Sequence, residues 1–345
     1  MIRRYSLRGC VFALAVLLAS LELKAADREA MLFADAAAGR LRSLTWWEAV
    51  LTAGGGSPAE DQRYLQQIGE LRQKLLRQRP AGADSKMQAR WVLQFLHREI
   101  FAGGKYRVAC TRLQETLDSG DYNCVTATCL FYGLCQDLRL RNVKIISEPE
   151  HVYCKLEVFP KAIEIQTTSP QGYNTRQGGA ASRTIDVFQL TGKIYYNRGV
   201  RAVSQKRWQE AWDHYQKAAR LDPQDSPTQQ NQLACLNNWA LAECQQGRYQ
   251  QASQLLRYGL KLDPRDEPLR ENESYIYYHW TQALCRQAKY AEAVKMLEAG
   301  YRRRPELPIF ADGRTAVYKM WGQYLQKQGR GEEAQRAFAA AQRSR

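Results

Sequence analysis

The stretch Gly120–Leu138, GDYNCVTATCLFYGLCQDL, is the part around which the rest of the chain can be placed. Gly120 and Asp121 are turn residues, Asn123 is a good helix cap, and from Val125 onward nearly every position is apolar. That is the pattern of a helix buried on all sides. Cys124 therefore falls at a helix N-terminus, where unpaired backbone N–H groups and the positive end of the helix dipole favour a thiolate, the reactive form of cysteine. Cys129 and Cys135 lie in the apolar body of the same helix and read as packing residues.

A thiolate so placed needs a base. The next histidine, His151, opens HVYCKLEVF, which alternates as a half-buried strand does, and a second strand-like run, Ala162–Thr168 (AIEIQTT), follows it. With Val143–Ser147 these runs predict an antiparallel sheet packed on the buried helix, an α+β arrangement. The order of cysteine, histidine on a strand and polar residue on the next strand supplies a nucleophile, a base and a group to orient the base.

Asn123-Cys124 opening a buried helix, then Pro149-Glu150-His151-Val152, then Ile165-Gln166-Thr167-Thr168-Ser169-Pro170, resembles the bacterial transglutaminase-like superfamily, whose fold is papain-like. The resemblance covers roughly Arg90 to Gly172. It implies Cys124 as nucleophile, His151 as base and, as the third member, a residue that is Asp or Glu in the family and is Gln166 here. A glutamine oxygen can accept the imidazole N–H, as asparagine does in Cys-His-Asn sites, but without a charge it favours the thiolate–imidazolium pair less. Glu164, two residues earlier and on the same face by strand alternation, is the fallback. The implied chemistry is attack on an amide or ester carbonyl to give an acyl-thioester, with hydrolysis ranked ahead of transfer to an amine. The uncharged third position also raises a catalytically degenerate scaffold as the alternative. No cofactor and no metal are expected: His97 stands on a helix face with no Cys, His, Asp or Glu at ligand spacing beside it, and the Gly54-Gly55-Gly56 loop has neither a preceding strand nor a following Lys-Ser/Thr.

Upstream, Arg28–Ile100 is helical in pattern, with capping-box starts at Thr45, Ser57 and Ser85. Downstream, Ser169–Thr191 is rich in Gly, Ser, Gln and Asn, and residues 173–191 read as a linker. Beyond it Ala211, Ala252, Ala293 and Ala334 recur every 41 residues. Trp208, Tyr249 and Tyr290 stand three before the alanine, and Tyr215, Leu256, Leu297 and Phe338 four after it. Pro223, Pro264 and Pro305 close the second helix of each unit. Four helical hairpins over residues 192–345 are predicted, resembling tetratricopeptide repeats lengthened from about 34 residues. Arrays of that kind bind peptides or partner proteins on a concave face, so the expected partners are a peptide or protein substrate for residues 27–172 and a protein for the array.

With 345 residues, two or three domains are expected. The net charge of +15 is large, but the absence of a dense Lys/Arg cluster with interleaved aromatics argues for a solvated basic surface and against nucleic acid. Met1–Ala26 has arginines, an apolar run from Val11 to Leu21 and Lys24-Ala25-Ala26, the layout of a secretory signal, with an uncleaved anchor as the alternative. An exported protein, periplasmic or extracellular, with no other membrane span, is the expectation. Without Cys10 eight of the nine cysteines remain, and Cys110, Cys129, Cys135 and Cys154 are the candidates for a pair.

Overall fold

Side-chain caps fix where the first helices begin. The computed structural model describes residues 27–175 and 182–343. The signal-like segment Met1–Ala26 and the expected linker's Gly178-Gly179 lie outside the described residues. After α1 (residues 27–37), α2 (Trp46–Gly54) and α3 (Pro58–Arg77) open on the capping boxes of Thr45 with Glu48 and Ser57 with Glu60. The third start moves by one residue: α4 (Ser85–Glu99) is capped by Asp84, whose carboxylate accepts from Met87 N at 2.8 Å, so Ser85 is already helical. An aspartate outbids a serine for the same orphan donor because its acceptor is charged.

The chain divides into two compact units, residues 1–229 and 230–345. In the first, a 3₁₀ turn (Phe101–Gly103), α5 (Leu113–Ser119) and α6 (Cys124–Asp137) lead into strands β1 (Val143–Ser147), β2 (Val152–Leu156) and β3 (Ile163–Ile165). β4 (Arg183–Ile185) completes an antiparallel sheet of order β3-β2-β1-β4, in which Ile145 faces Cys154 and Ile185, and Cys154 faces Ile165. Helix α6 packs on β1 and β2 and is held from its other sides by α2 and α4. Its Gly133 makes room for two indoles, since a Cβ there would stand 2.4 Å from the Trp47 ring. Trp46 Nε1 donates to Cys129 O and Trp47 Nε1 to Asp137.

The stretch read as a linker is part of this unit. Tyr173 bridges to Ile165, β4 pairs with β1, and α7 (Val187–Ser204) begins inside it at the Asp186 cap. Phe188, Leu190, Ile194 and Tyr195 of α7 and Ala218 and Leu221 of α8 (Trp208–Leu221) join the same core as α6 and the sheet. Each large side chain so buried contributes about 1.5–3 kcal/mol, so the first hairpin is bound into this unit rather than standing as the head of a separate array. The boundary therefore lies at Gln229, not at residue 192. The linker reading failed because a three-residue strand has too little sequence to show alternation, and its loop-like composition prevailed.

The second unit is all helical: α9 (Ser226–Gln245) from Gln230 onward, α10 (Tyr249–Leu262), α11 (Glu267–Arg286), α12 (Tyr290–Arg303), α13 (Pro308–Lys327) and α14 (Gly331–Arg343). Across the chain the shorter helices start at 208, 249, 290 and 331, and the longer ones at 226, 267 and 308, which preserves the 41-residue step. The additional residues lengthen the longer helices to 20 residues. Each repeating alanine is at most 3 % exposed. Small residues recur where helices touch, so that a Cβ on Gly300 would meet the Phe310 ring at 2.1 Å and one on Gly322 the Phe338 ring at 2.6 Å.

Candidate active site

Cys124 is the first residue of α6, and the sequence before it builds the cap. Asn123 Oδ1 accepts from Thr126 N at 2.9 Å while Thr126 Oγ1 accepts from Asn123 N at 3.1 Å, a reciprocal box that consumes the third orphan donor. The backbone N–H groups of Cys124 and Val125 have no acceptor among the described residues. The turn that delivers them is tight: Gly120 has φ +77°, and a Cβ on the opposing Gly104 would fall 1.9 Å from Gly120 O. Neither position has room for a side chain.

All eight described cysteines are free thiols, and no disulfide joins Cys110, Cys129, Cys135 and Cys154. Cys124 alone among them is not buried. Burial pushes the other seven thiols up, Cys235 to about 12, which leaves them protonated and inert.

His151 stands at the start of β2, at the end of the Glu148–His151 turn, where Glu148 N donates to His151 O at 2.8 Å. Its ring stacks on Tyr153 at 5.8 Å, and its Nε2 lies 2.6 Å from Gln166 Oε1. With the amide oxygen as acceptor Nε2 carries the proton, and Nδ1 is the nitrogen left for Cys124. Cys124 is the largest influence on the imidazole and raises its pKa above the ordinary value, against burial, with help from Gln166 and Glu148. Cysteine, histidine and glutamine thus meet at one place. Gln166 is 5 % exposed and its Nε2 has no partner among the described residues, a donor that a carboxylate would not carry. Glu164, the fallback, sits on β3 opposite Lys155, and its charge acts on Tyr153, the ring stacked on His151.

Thr128, one turn into α6, ties these pieces together. Its hydroxyl donates to Val152 O, beside His151, at 3.2 Å and meets Thr167 Oγ1, beside Gln166, at 2.9 Å. His97 Nε2 reaches Thr167 O at 3.0 Å and Tyr122 OH donates to Thr168 O at 3.2 Å. His97 is accordingly a support for the segment carrying Gln166, with its pKa lowered by burial against the bond to Thr167. Tyr106, which lines the cleft beside Cys124, was not legible as a site residue, because it lies in a loop with no period to place it. Thr128 did leave a signal, a hydroxyl one helical turn after Cys124.

The thiol opens on a cleft of about 340 Å³. Tyr106, Val108 and the Glu148–His151 turn form part of its wall, and Lys193, Tyr196, Asn197 and Val200 of α7 form the rest. Lys193 is pinned to Asp225 at 2.6 Å. Among the described residues no group of three or more His, Cys, Asp or Glu is arranged to hold a metal ion, and no helix is long and apolar enough to cross a membrane.

No protein-family model matches the chain, and no curated protein matches it.

Proposed function

We propose that the first unit is a transglutaminase-like thiol hydrolase of papain-like fold, acting on amide or isopeptide bonds through an acyl-thioester. The observation that carries this reading is the meeting of Cys124, His151 and Gln166, with the sulfur exposed to a cleft and the imidazole oriented from behind. In the reaction the thiolate sulfur adds to the substrate carbonyl carbon and the carbonyl π pair moves to oxygen. His151 then gives its proton to the leaving amine as the C–N bond breaks, leaving the thioester. Water, losing a proton to His151, adds to the thioester and expels the thiolate as the acid forms. An amine entering in place of water would make the same site a transferase. The free N–H of Cys124 supplies one donor to the oxyanion at each stage.

The helices of the second unit, with the 41-residue step, support a tetratricopeptide-like array that binds a protein partner. Within it Arg257, Tyr277, Trp280, Met296 and Arg303 line a groove with apolar and cationic surface suited to a peptide. Export of the whole chain fits the signal-like Met1–Ala26.

The second reading, a scaffold that has lost activity, is favoured by the uncharged Gln166 and its unpaired Nε2. An activity-based thiol probe with a panel of peptide and amine substrates separates the two. The hydrolase reading predicts acyl adducts on Cys124 and peptide cleavage that Cys124→Ala abolishes; no adduct with any substrate, and full biological activity in Cys124→Ala, would favour the scaffold.

A further inference from the structure

We propose that the phenol of Tyr106 is a catalytic group of this site: its O–H is the second donor, beside the backbone N–H of Cys124, to the oxyanion formed when the thiolate adds to a carbonyl. This rests on the thiol-hydrolase reading above. Tyr106 lines the same cleft as Asn123 and Cys124, and Cys124 is among the groups that act on its hydroxyl. The residue is 51 % exposed, so burial does not account for its position.

The backbone holds it there instead. Tyr122 N donates to Lys105 O at 3.1 Å and Arg107 N to Tyr122 O at 2.8 Å, bracketing Tyr106 in a parallel bridge to Tyr122. Lys105 N donates to Asp121 Oδ1 at 2.8 Å, and Arg107 pairs with the same carboxylate at 2.6 Å. The Tyr122 ring supports the Tyr106 ring edge-on at 6.1 Å. Every one of these anchors is in the turn that delivers Cys124, so the phenol and the sulfur are fixed to one piece of backbone.

A donor that lines the cleft with the sulfur and is open to solvent can reach the carbonyl oxygen that arrives when its carbon bonds that sulfur. As the S–C bond forms, the negative charge passes from sulfur to oxygen, and the phenol's hydrogen bond follows it without the proton leaving Tyr106. Burial, with Cys124 next, raises the phenol's pKa, so it is a neutral donor near neutral pH. On collapse to the thioester the oxygen pair reforms the C=O bond, and the phenol is free for the second addition.

The test compares two reactions of Cys124 in the full chain and in Tyr106→Phe: acylation by p-nitrophenyl acetate, which passes through an oxyanion, and alkylation by iodoacetamide, which displaces iodide at a saturated carbon and does not. The expected result is acylation slowed by about 10- to 1000-fold with alkylation at Cys124 changed by less than about threefold. Acylation unchanged, or both reactions slowed alike, overturns the role of Tyr106 and leaves the hydrolase reading standing. A wild-type Cys124 that neither acylates nor alkylates faster than the buried thiols overturns the hydrolase reading, and the role of Tyr106 with it; that failure shows in the wild-type arm alone.

Discussion

Gln166 decides how firmly His151 is held as an imidazolium. A carboxylate there would replace the unpaired Nε2 by a charge against the ring, and loss of the sulfur would remove the largest influence raising the imidazole's pKa. Nuclear magnetic resonance titration of His151 should therefore give a midpoint above the ordinary histidine value in the wild type, lower in Cys124→Ala and higher in Gln166→Glu. The raised value makes the imidazolium stabilise the native state below about pH 6.5, a contribution lost as pH rises through the folded value. His214 carries the opposite sign. Burial, with the charges of Arg198, Lys217 and Arg207, pushes it down to about 3, and neither ring nitrogen has a hydrogen-bond partner among the described residues. Glu210, 3.5 Å from Nε2 but 40 % exposed, does not offset this. Stability present above pH 6.5 is then lost at about 1.4 kcal/mol per pH unit as pH falls. In urea titrations at pH 7 and pH 5, His214→Leu should lose about 2 kcal/mol less between the two than the wild type. The cysteine, histidine and glutamine were legible because motif and cap chemistry are local; Tyr106, and the support given by His97 and Thr128, depend on contacts between segments distant in sequence.

The helix α6 is positioned by its cap at one end and by a threonine in its middle. Asn123→Ala should cost about 1 kcal/mol in thermal or urea unfolding, the usual value of a lost N-cap. Thr128→Val keeps the shape but leaves Val152 O and Thr167 Oγ1 without their shared partner, and should cost about 1–3 kcal/mol together with a loss of Cys124 reactivity. Glycines separate by their surroundings. Gly300→Ala drives a methyl into Phe310 and should destabilise by about 1–3 kcal/mol, whereas Gly69→Ala in α3, with nothing within 4 Å, should stabilise by about 0.5–1 kcal/mol. At this scale the sequence was most readable where a pattern repeats: the aligned alanines and aromatics carry the 41-residue step at which the shorter helices start. It was least readable at β4, where strand identity comes from pairing with β1 and not from its own three residues.

For the molecule as a whole, the repeat pattern and the packing disagree about where one unit ends. By sequence α7 and α8 belong with the later hairpins; by packing they complete the core beneath the sheet, and α7 forms one wall of the cleft at Cys124. A chain ending at Gly172 lacks β4, α7 and α8 and should lose its near-ultraviolet circular dichroism, while one ending at Gln245 should keep it. The basic charge of +15 gave no guide to this arrangement, since charge reports on solvation and partners rather than on fold. The central claim is that one of the eight described thiols is activated by a histidine brought from another part of the chain. Its most direct test is the rate at which iodoacetamide labels each cysteine of the folded protein at pH 7, resolved by peptide mass spectrometry, in the wild type and in His151→Ala. The account predicts that Cys124 reacts about a hundredfold faster than the buried thiols and loses most of that advantage without His151. Labelling of Cys124 at the rate of the others, or at a rate indifferent to His151, would contradict it.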